Sequence, residues 1–194
     1  MLHGREVEIK YRIRDPMEMA RFIEKRWGVR GKKKRIYDVY FDTPSLDLIK
    51  GSIAFRTREI TPEGERKTYL ITYKRKIKTS DHIMHREEIE KEIEPEIYES
   101  LHLADYIEFD FEGHRGKISP VIGIESHRLE YDLGNVKIVI DEVKFSDELM
   151  EFFLEIEGPE EEIRKIRKEL EERFHLEPLN LSKLELGIRY MGLQ

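Results

Sequence analysis

Strict alternation governs this chain. Between Arg5 and Ile13, the apolar Val7, Ile9, Tyr11 and Ile13 take turns with Glu6, Glu8, Lys10 and Arg12, the period of two that belongs to a β-strand with one buried face. The same period returns in residues 35–43, 52–58, 67–76, 83–93, 118–130, 136–145 and 150–157. Short turn-forming stretches separate most of these runs: Thr43-Pro44-Ser45, residues 61–65, Thr79-Ser80-Asp81, Asp132-Leu133-Gly134-Asn135 and Ser146-Asp147-Glu148. Strands that follow one another so closely cannot be joined by parallel crossovers. The pattern therefore predicts an α+β chain built on an antiparallel sheet or barrel of about eight strands, not a doubly wound fold.

Helical spacing is confined to a few places. Asp15-Pro16 supplies an N-cap and a first-turn proline, after which Met17, Ala20, Phe22, Ile23 and Trp27 predict a helix over 16–27 ended by Gly28. Pro95 opens a second helix through Ile97, Leu101 and Leu103. Gly158-Pro159 opens a third, striped by Ile163, Ile166, Leu170 and Phe174, and residues 180–186 read as a short capped helix. Residues 46–49 read as an irregular turn, and 113–116 as a loop leading into an extended run. There Pro120, Ile122, Ile124, Ser126 and Arg128 share one parity.

Nearly every strand carries one face of ionisable side chains, and the signs are mixed. Glu6, Glu8 and Lys10 lie on the first. Ile36, Asp38, Tyr40 and Asp42 share a face of the second, and Ala54, Arg56 and Arg58 a face of the third. Lys74 and Lys76 follow, then Arg86, Glu88 and Glu90, Arg128, Asp141, and Glu155 with Glu157. Taken singly, such a face is either a solvated edge or a ligand wall. Arg56 and Arg58 repel each other unless they meet anions or open water. If the strands close into a barrel with apolar faces outward under the helices, the charges line its lumen and need water, ions or a ligand there.

Composition narrows the options further. The 194 residues suit a single domain spanning 1–194. The chain has no cysteine, which excludes disulfides, thiolate catalysis and cysteine zinc sites and fits a reducing cytoplasm. No apolar run approaches the roughly 20 residues of a membrane span, and a signal-peptide core is absent, so a cytoplasmic protein without membrane contact is expected. A net charge of -6 argues against general nucleic-acid binding. Charged residues reach 39% while glutamine occurs only at Gln194, a bias reported for proteins of hot-living organisms. Lys32-Lys33-Lys34-Arg35 reads either as a solvated hairpin end or as a phosphate-contacting arm. His82 and His85, three apart on a strand, fall on opposite faces and read as surface residues, not as a metal pair.

Several blocks run in order along nearly the whole chain: Glu-Val-Glu-Ile-Lys at 6–10, Asp-Val-Tyr-Phe-Asp-Thr-Pro at 38–44, Ala-Phe-Arg-Thr-Arg at 54–58 and Thr-Tyr-Lys ending at Lys74. Arg-Glu-Glu-Ile-Glu at 86–90, Arg128, Asp141, Glu155-Ile156-Glu157 and Ser182-Lys183 complete the set. Together they resemble the CYTH superfamily of triphosphate tunnel metalloenzymes, whose ExExK signature is the first block and which includes class IV adenylyl cyclases, thiamine triphosphatases and inorganic triphosphatases.

The resemblance implies a closed or nearly closed eight-stranded antiparallel tunnel that takes a triphosphate along its axis. It implies Mg2+ or Mn2+ on Glu6, Glu8, Glu155 and Glu157, with Asp141 or Glu88 as further ligands; hard oxygens suit such ions. Lys10, Arg56, Arg58, Lys74, Arg86, Arg128 and Lys183 would hold phosphate oxygens, and Glu6, Glu8, Lys10, Glu155 and Glu157 form the expected catalytic set. The expected partner is a small-molecule triphosphate (ATP, thiamine triphosphate or inorganic triphosphate), and a homodimer is compatible with the pattern. Cyclisation and hydrolysis are both in-line displacements that need no protein nucleophile, so the lining does not choose between them, and a non-catalytic binding module is the alternative. Members acting as cyclases often carry lysine two residues ahead of the arginine matching Arg128. Here that position is Ser126, a departure that bears on substrate affinity and adenine-nucleotide chemistry.

Overall fold

The computed structural model describes residues 2–111 and 113–193. Its first half runs β1 (Leu2–Ile13), α1 (Pro16–Trp27), β2 (Lys32–Asp42), α2 (Asp47–Lys50), β3 (Ile53–Pro62), β4 (Thr68–Ser80) and β5 (Ile83–Ile93). The second half runs α3 (Pro95–Leu103), β6 (Ile107–Phe111), β7 (His114–Asp132), β8 (Lys137–Lys144), β9 (Met150–Glu157), α4 (Glu160–Arg173), β10 (Glu177–Pro178) and α5 (Lys183–Tyr190). Eight strands close a barrel in the order β1-β5-β4-β3-β2-β7-β8-β9 and back to β1, every pair antiparallel. Closure happens on β1 by stagger: Leu2 to Glu8 pair with β5, and Glu8 to Ile13 pair with β9. Such an offset is what tilted strands need to return to their own starting edge.

The apolar half of the alternation faces outward. Ile9, Tyr11 and Ile13 of β1, Ile138 and Ile140 of β8, and Leu154 and Ile156 of β9 are all buried beneath Met19 and Ile23 of α1 and Ile163, Ile166 and Leu170 of α4. Each such side chain contributes about 1.5–3 kcal/mol by leaving water. α1 sits where the sequence places it: the Asp15 side chain accepts from the Glu18 N–H at 2.7 Å, and Gly28 ends the helix at φ 66°, where a side chain would be strained. A second outer cluster joins Val39, Phe41, Ile53 and Tyr73 to Phe109 and Ile118 of the β6–β7 hairpin.

One end of the barrel is filled from within. Leu184, Leu186 and Ile188 of α5 pack against Tyr40, Ile122, Ile124, Val143, Phe145 and Phe153. A capping box fixes the start of α5: the Ser182 hydroxyl accepts from the Glu185 N–H at 3.1 Å, and the Glu185 carboxylate accepts from the Ser182 N–H at 2.6 Å. No helix among the described residues is long and apolar enough to cross a membrane.

The structure departs from the sequence pattern in several places. Residues 46–49 are not irregular throughout, because Asp47–Lys50 makes one helical turn whose Leu48 and Ile49 N–H groups donate to the buried Asp42 carboxylate. His114 to Gly116 belong to β7, not to a loop. Pro120 does not share a face with Ile122: the β2–β7 register shifts between Tyr40 and Phe41, so that Tyr40 pairs with Ile122 and Phe41 with Pro120. The bulged Val121 reverses the parity. β6 and β10 are strands beyond the barrel's eight, and Lys32 to Arg35 form the start of β2 itself.

Candidate active site

The inward half of the alternation lines a cavity of about 360 Å3 within the barrel, bounded at one end by the start of α5. Ten cationic and eight acidic side chains border it, so ionic groups make up most of its lining. Register decides who meets whom. Directly opposed across the ladders are Glu6 and Arg86, Lys74 and Glu88, Asp38 and Arg58, Arg128 and Asp141, and Lys10 and Glu155. Opposite charges at facing positions attract. Glu8, by contrast, faces Glu157.

On the β1–β9 wall, Glu6 accepts from Lys74 Nζ at 2.7 Å, and Glu8 Oε1 lies 2.8 Å from Arg86 Nη1. Glu155 gathers three cations: Lys10 at 3.1 Å, Lys183 at 3.2 Å and Arg128 at 3.5 Å. Burial would raise the Glu155 carboxyl, but those three cations outweigh it and hold the group well below the usual carboxylate range. Glu157 goes the other way. It is half-buried, and desolvation together with the charges of Glu6 and Glu8 pushes its carboxyl up.

Across the lumen, two aspartates are fully committed. Asp141 accepts two hydrogen bonds from Arg128, at 2.9 and 2.8 Å, and also pairs with Lys183. Asp38 accepts two from Arg58, at 2.7 and 2.8 Å, and one from Arg56 at 3.3 Å. Both lie at most 2% exposed, and in both the arginines override burial and keep the carboxyl below its ordinary value.

Every residue expected from the sequence as a phosphate contact, and each of Glu6, Glu8, Glu88, Glu155 and Glu157, borders the same cavity. Asp141 does not border it, being enclosed behind Arg128 and Lys183. Lys76, Glu90 and Lys137, which strand parity puts on the same faces as Lys74, Glu88 and Asp141 but which the expected site did not include, also line the cavity, as do Glu130 and Glu185. Lys34 turns inward to Glu130 at 2.8 Å, while Lys32, Lys33 and Arg35 are exposed. Ser126 is buried between Ile36 and Val143 on the neighbouring strands. His82 lies in the turn after β4 and His85 sits 3.2 Å from Glu160 on the outside, so neither reaches the lumen.

A divalent cation fits one part of this wall. Among the described residues no three acidic or histidine side chains already converge as a metal cage. Glu6 Oε2 and Glu8 Oε1 are nevertheless buried without a hydrogen-bond donor, since Arg86 reaches Glu8 as an ion contact and not along a bonding direction. Two carboxylate oxygens with cations nearby but no hydrogen-bond donor, beside a Glu157 that Glu6 and Glu8 repel, make a hard-oxygen donor set.

The CYTH domain model matches residues 4–186. Among solved structures, HpAC1 from Hippeastrum, a protein with a dominant triphosphatase activity, superposes with a TM-score of 0.70 at 19% identity, covering 96% of either chain. The PH1819 protein from Pyrococcus horikoshii OT3 gives a TM-score of 0.65 at 26% identity over 95% of this chain and 99% of its own. The bh2851 protein from Bacillus halodurans, a proposed adenylate cyclase, gives 0.68 at 17% identity over 94% and 96%. No curated protein shows significant similarity. An eight-stranded barrel with an ionic lumen, matched over residues 4–186, places this chain in the CYTH domain family.

Proposed function

We propose that the protein is a divalent-metal-dependent enzyme that draws a triphosphate into the barrel lumen and hydrolyses it. The observation that carries this reading is the division of the lumen. One wall offers Glu157 without an ion pair and Glu6 Oε2 and Glu8 Oε1 without a hydrogen-bond donor, and the facing walls offer arginines and lysines held in place by buried aspartates. A polyanion alone would be repelled by the first wall, and a cation alone by the others.

The chain's own residues would divide the work as follows. Arg58 and Arg128, each fixed along one edge by two hydrogen bonds, present a planar donor array suited to phosphate oxygens. Lys10, Lys74, Arg86 and Lys183, which neutralise the glutamates when no ligand is present, would turn to phosphate oxygens once a ligand competes for them. Glu6, Glu8, Glu155 and Glu157 would hold Mg2+ or Mn2+, with Glu88 at hand beside Lys74. The ion, when bound, supplies Lewis-acid charge at the phosphoryl oxygens. Asp141, enclosed by Arg128 and Lys183, is assigned to anchoring those cations. Ser126 leaves the lumen without the lysine that cyclase-type members often carry there, which favours hydrolysis.

One observation keeps a second reading. Ile36 faces Ile60 across β2 and β3, and Leu70 faces Arg58 across β3 and β4, so an apolar patch adjoins the arginines in the lumen. It suits the organic group of a nucleotide, and with it cyclisation. The two are separated by incubating the protein with Mg2+ or Mn2+ and ATP, thiamine triphosphate or inorganic triphosphate. Released phosphate is expected; cyclic AMP with pyrophosphate would establish the second reading. If nothing turns over with either metal while triphosphate still raises the melting temperature, the protein is a binding module instead.

A further inference from the structure

Asp38 is an anion set directly behind Arg56 and Arg58 in the wall of a cavity read as a site for a polyanion, which it does not itself border. It carries a negative charge, is 2% exposed, and touches no metal-type cluster. From β2 it faces Arg58 on β3, and its two oxygens hold Arg58 at Nε and Nη2 and Arg56 at Nη1. One carboxylate thereby fixes two guanidiniums that lie two residues apart on one strand face and would otherwise push each other aside. Tyr40 braces the same Arg56 Nη1 at 3.2 Å, while the buried Arg56 Nε has no acceptor among the described residues. An arginine pair locked along one edge, with a donor still unspent, is preorganised for an anion.

We propose that Asp38 is a positioning residue that strengthens polyanion binding by fixing Arg56 and Arg58, although it is itself an anion. The proposal rests on the triphosphate reading above. Its sign is unusual. If only the charge of the lumen mattered, removing Asp38 would tighten anion binding; if Asp38 positions the arginines, removing it weakens binding.

The test is calorimetric titration of inorganic triphosphate in a chelator-containing buffer, on proteins whose folding is checked by circular dichroism and melting. Asp38→Asn should bind at least about tenfold more weakly than the wild type, the scale of one charge-assisted hydrogen bond. Equal or tighter binding overturns the proposal. Asp38→Glu keeps the charge but displaces both guanidiniums by a methylene, so it too should bind more weakly; wild-type affinity there overturns the proposal even if Asp38→Asn fails to fold. In an Arg56→Gln/Arg58→Gln background, adding Asp38→Asn should change affinity by less than about twofold, because the residues it acts through are gone. A further tenfold loss in that background would mean a general structural role and overturn it. If the wild type binds only once Mg2+ or Mn2+ is added, the same comparisons are made with that metal present; failure to bind triphosphate in either condition refutes the triphosphate reading as well, whereas wild-type binding that ignores Asp38 refutes this inference alone.

Discussion

Glu155 and Glu157 sit two residues apart on β9 and face the same lumen, yet their surroundings give them opposite energetics. Glu155 is the anion for Lys10, Lys183 and Arg128. Glu157 has no ion pair within 4 Å among the described residues; Lys137, opposite it on β8, and Lys74 draw its carboxyl down, but burial and the charges of Glu6 and Glu8 outweigh them. Removing one partner from a buried ion cluster leaves the others uncompensated, which costs about 3–5 kcal/mol. Glu155→Gln should therefore lose on the order of 3 kcal/mol in denaturant unfolding, as well as activity. Glu157→Gln should do the reverse in the metal-free protein and melt no lower than the wild type, because a repelled carboxylate is gone. Its turnover of triphosphate should nonetheless fall by about a hundredfold or more, the scale expected when a group that stabilises transition-state charge is lost. Normal activity in Glu157→Gln would remove the proposed metal wall, and a large drop in its stability would contradict the charge accounting.

At the scale of elements, the strand period carried most of the fold. Alternation in residues 6–13 and 150–157 put Glu6, Glu8, Glu155 and Glu157 on one face and Ile9, Tyr11, Leu154 and Ile156 on the other, and closure of the barrel turns the first face inward and the second under helices. It misled at Pro120, because an extra residue in a ladder leaves no mark on the period until the partner strand is known. β6 escaped notice for a related reason. Five residues with one buried side chain, Phe109, are too few to declare a period, and their pairing with β7 makes the strand. The role of α5 was likewise hidden. Its cap was legible in Ser182 and Glu185, but the inward side chains that it meets come from β2, β7, β8 and β9. Those contacts predict that Leu184→Ala, which empties a 6% exposed site between Tyr40 and Phe153, costs about 2–5 kcal/mol in chemical denaturation. The same change should weaken triphosphate binding, since Lys183 precedes Leu184 on the helix and reaches Asp141 and Glu155. A Leu184→Ala protein with wild-type stability would mean that α5 merely rests on the barrel end.

For the molecule as a whole, the eight strands bring together a lumen whose charges were visible one by one in the sequence but whose pairing was not. Which glutamate faces which lysine depends on register, and register is set by closure through β1, far from either residue in the chain. The result is a barrel whose ionic interior depends on carboxylates staying ionised, and this predicts its response to acid. Asp38 and Asp141 are buried, and their arginine partners hold both carboxyls below the free-chain value of about 3.9. A group with a depressed folded-state pKa contributes stability that is fully present above the unfolded value and is lost as pH falls through the folded one. Stability should therefore begin to drop as pH passes below about 4 and continue to drop at lower pH. Asp38→Asn has no such proton to take up. It should melt below the wild type at pH 7, and the gap between the two should narrow steadily from pH 5 to pH 2 as the wild type loses what the variant never had. Melting curves across that range decide the matter. A gap that stays constant would mean that Asp38 stabilises the barrel through packing alone, with its charge and its grip on Arg56 and Arg58 contributing nothing.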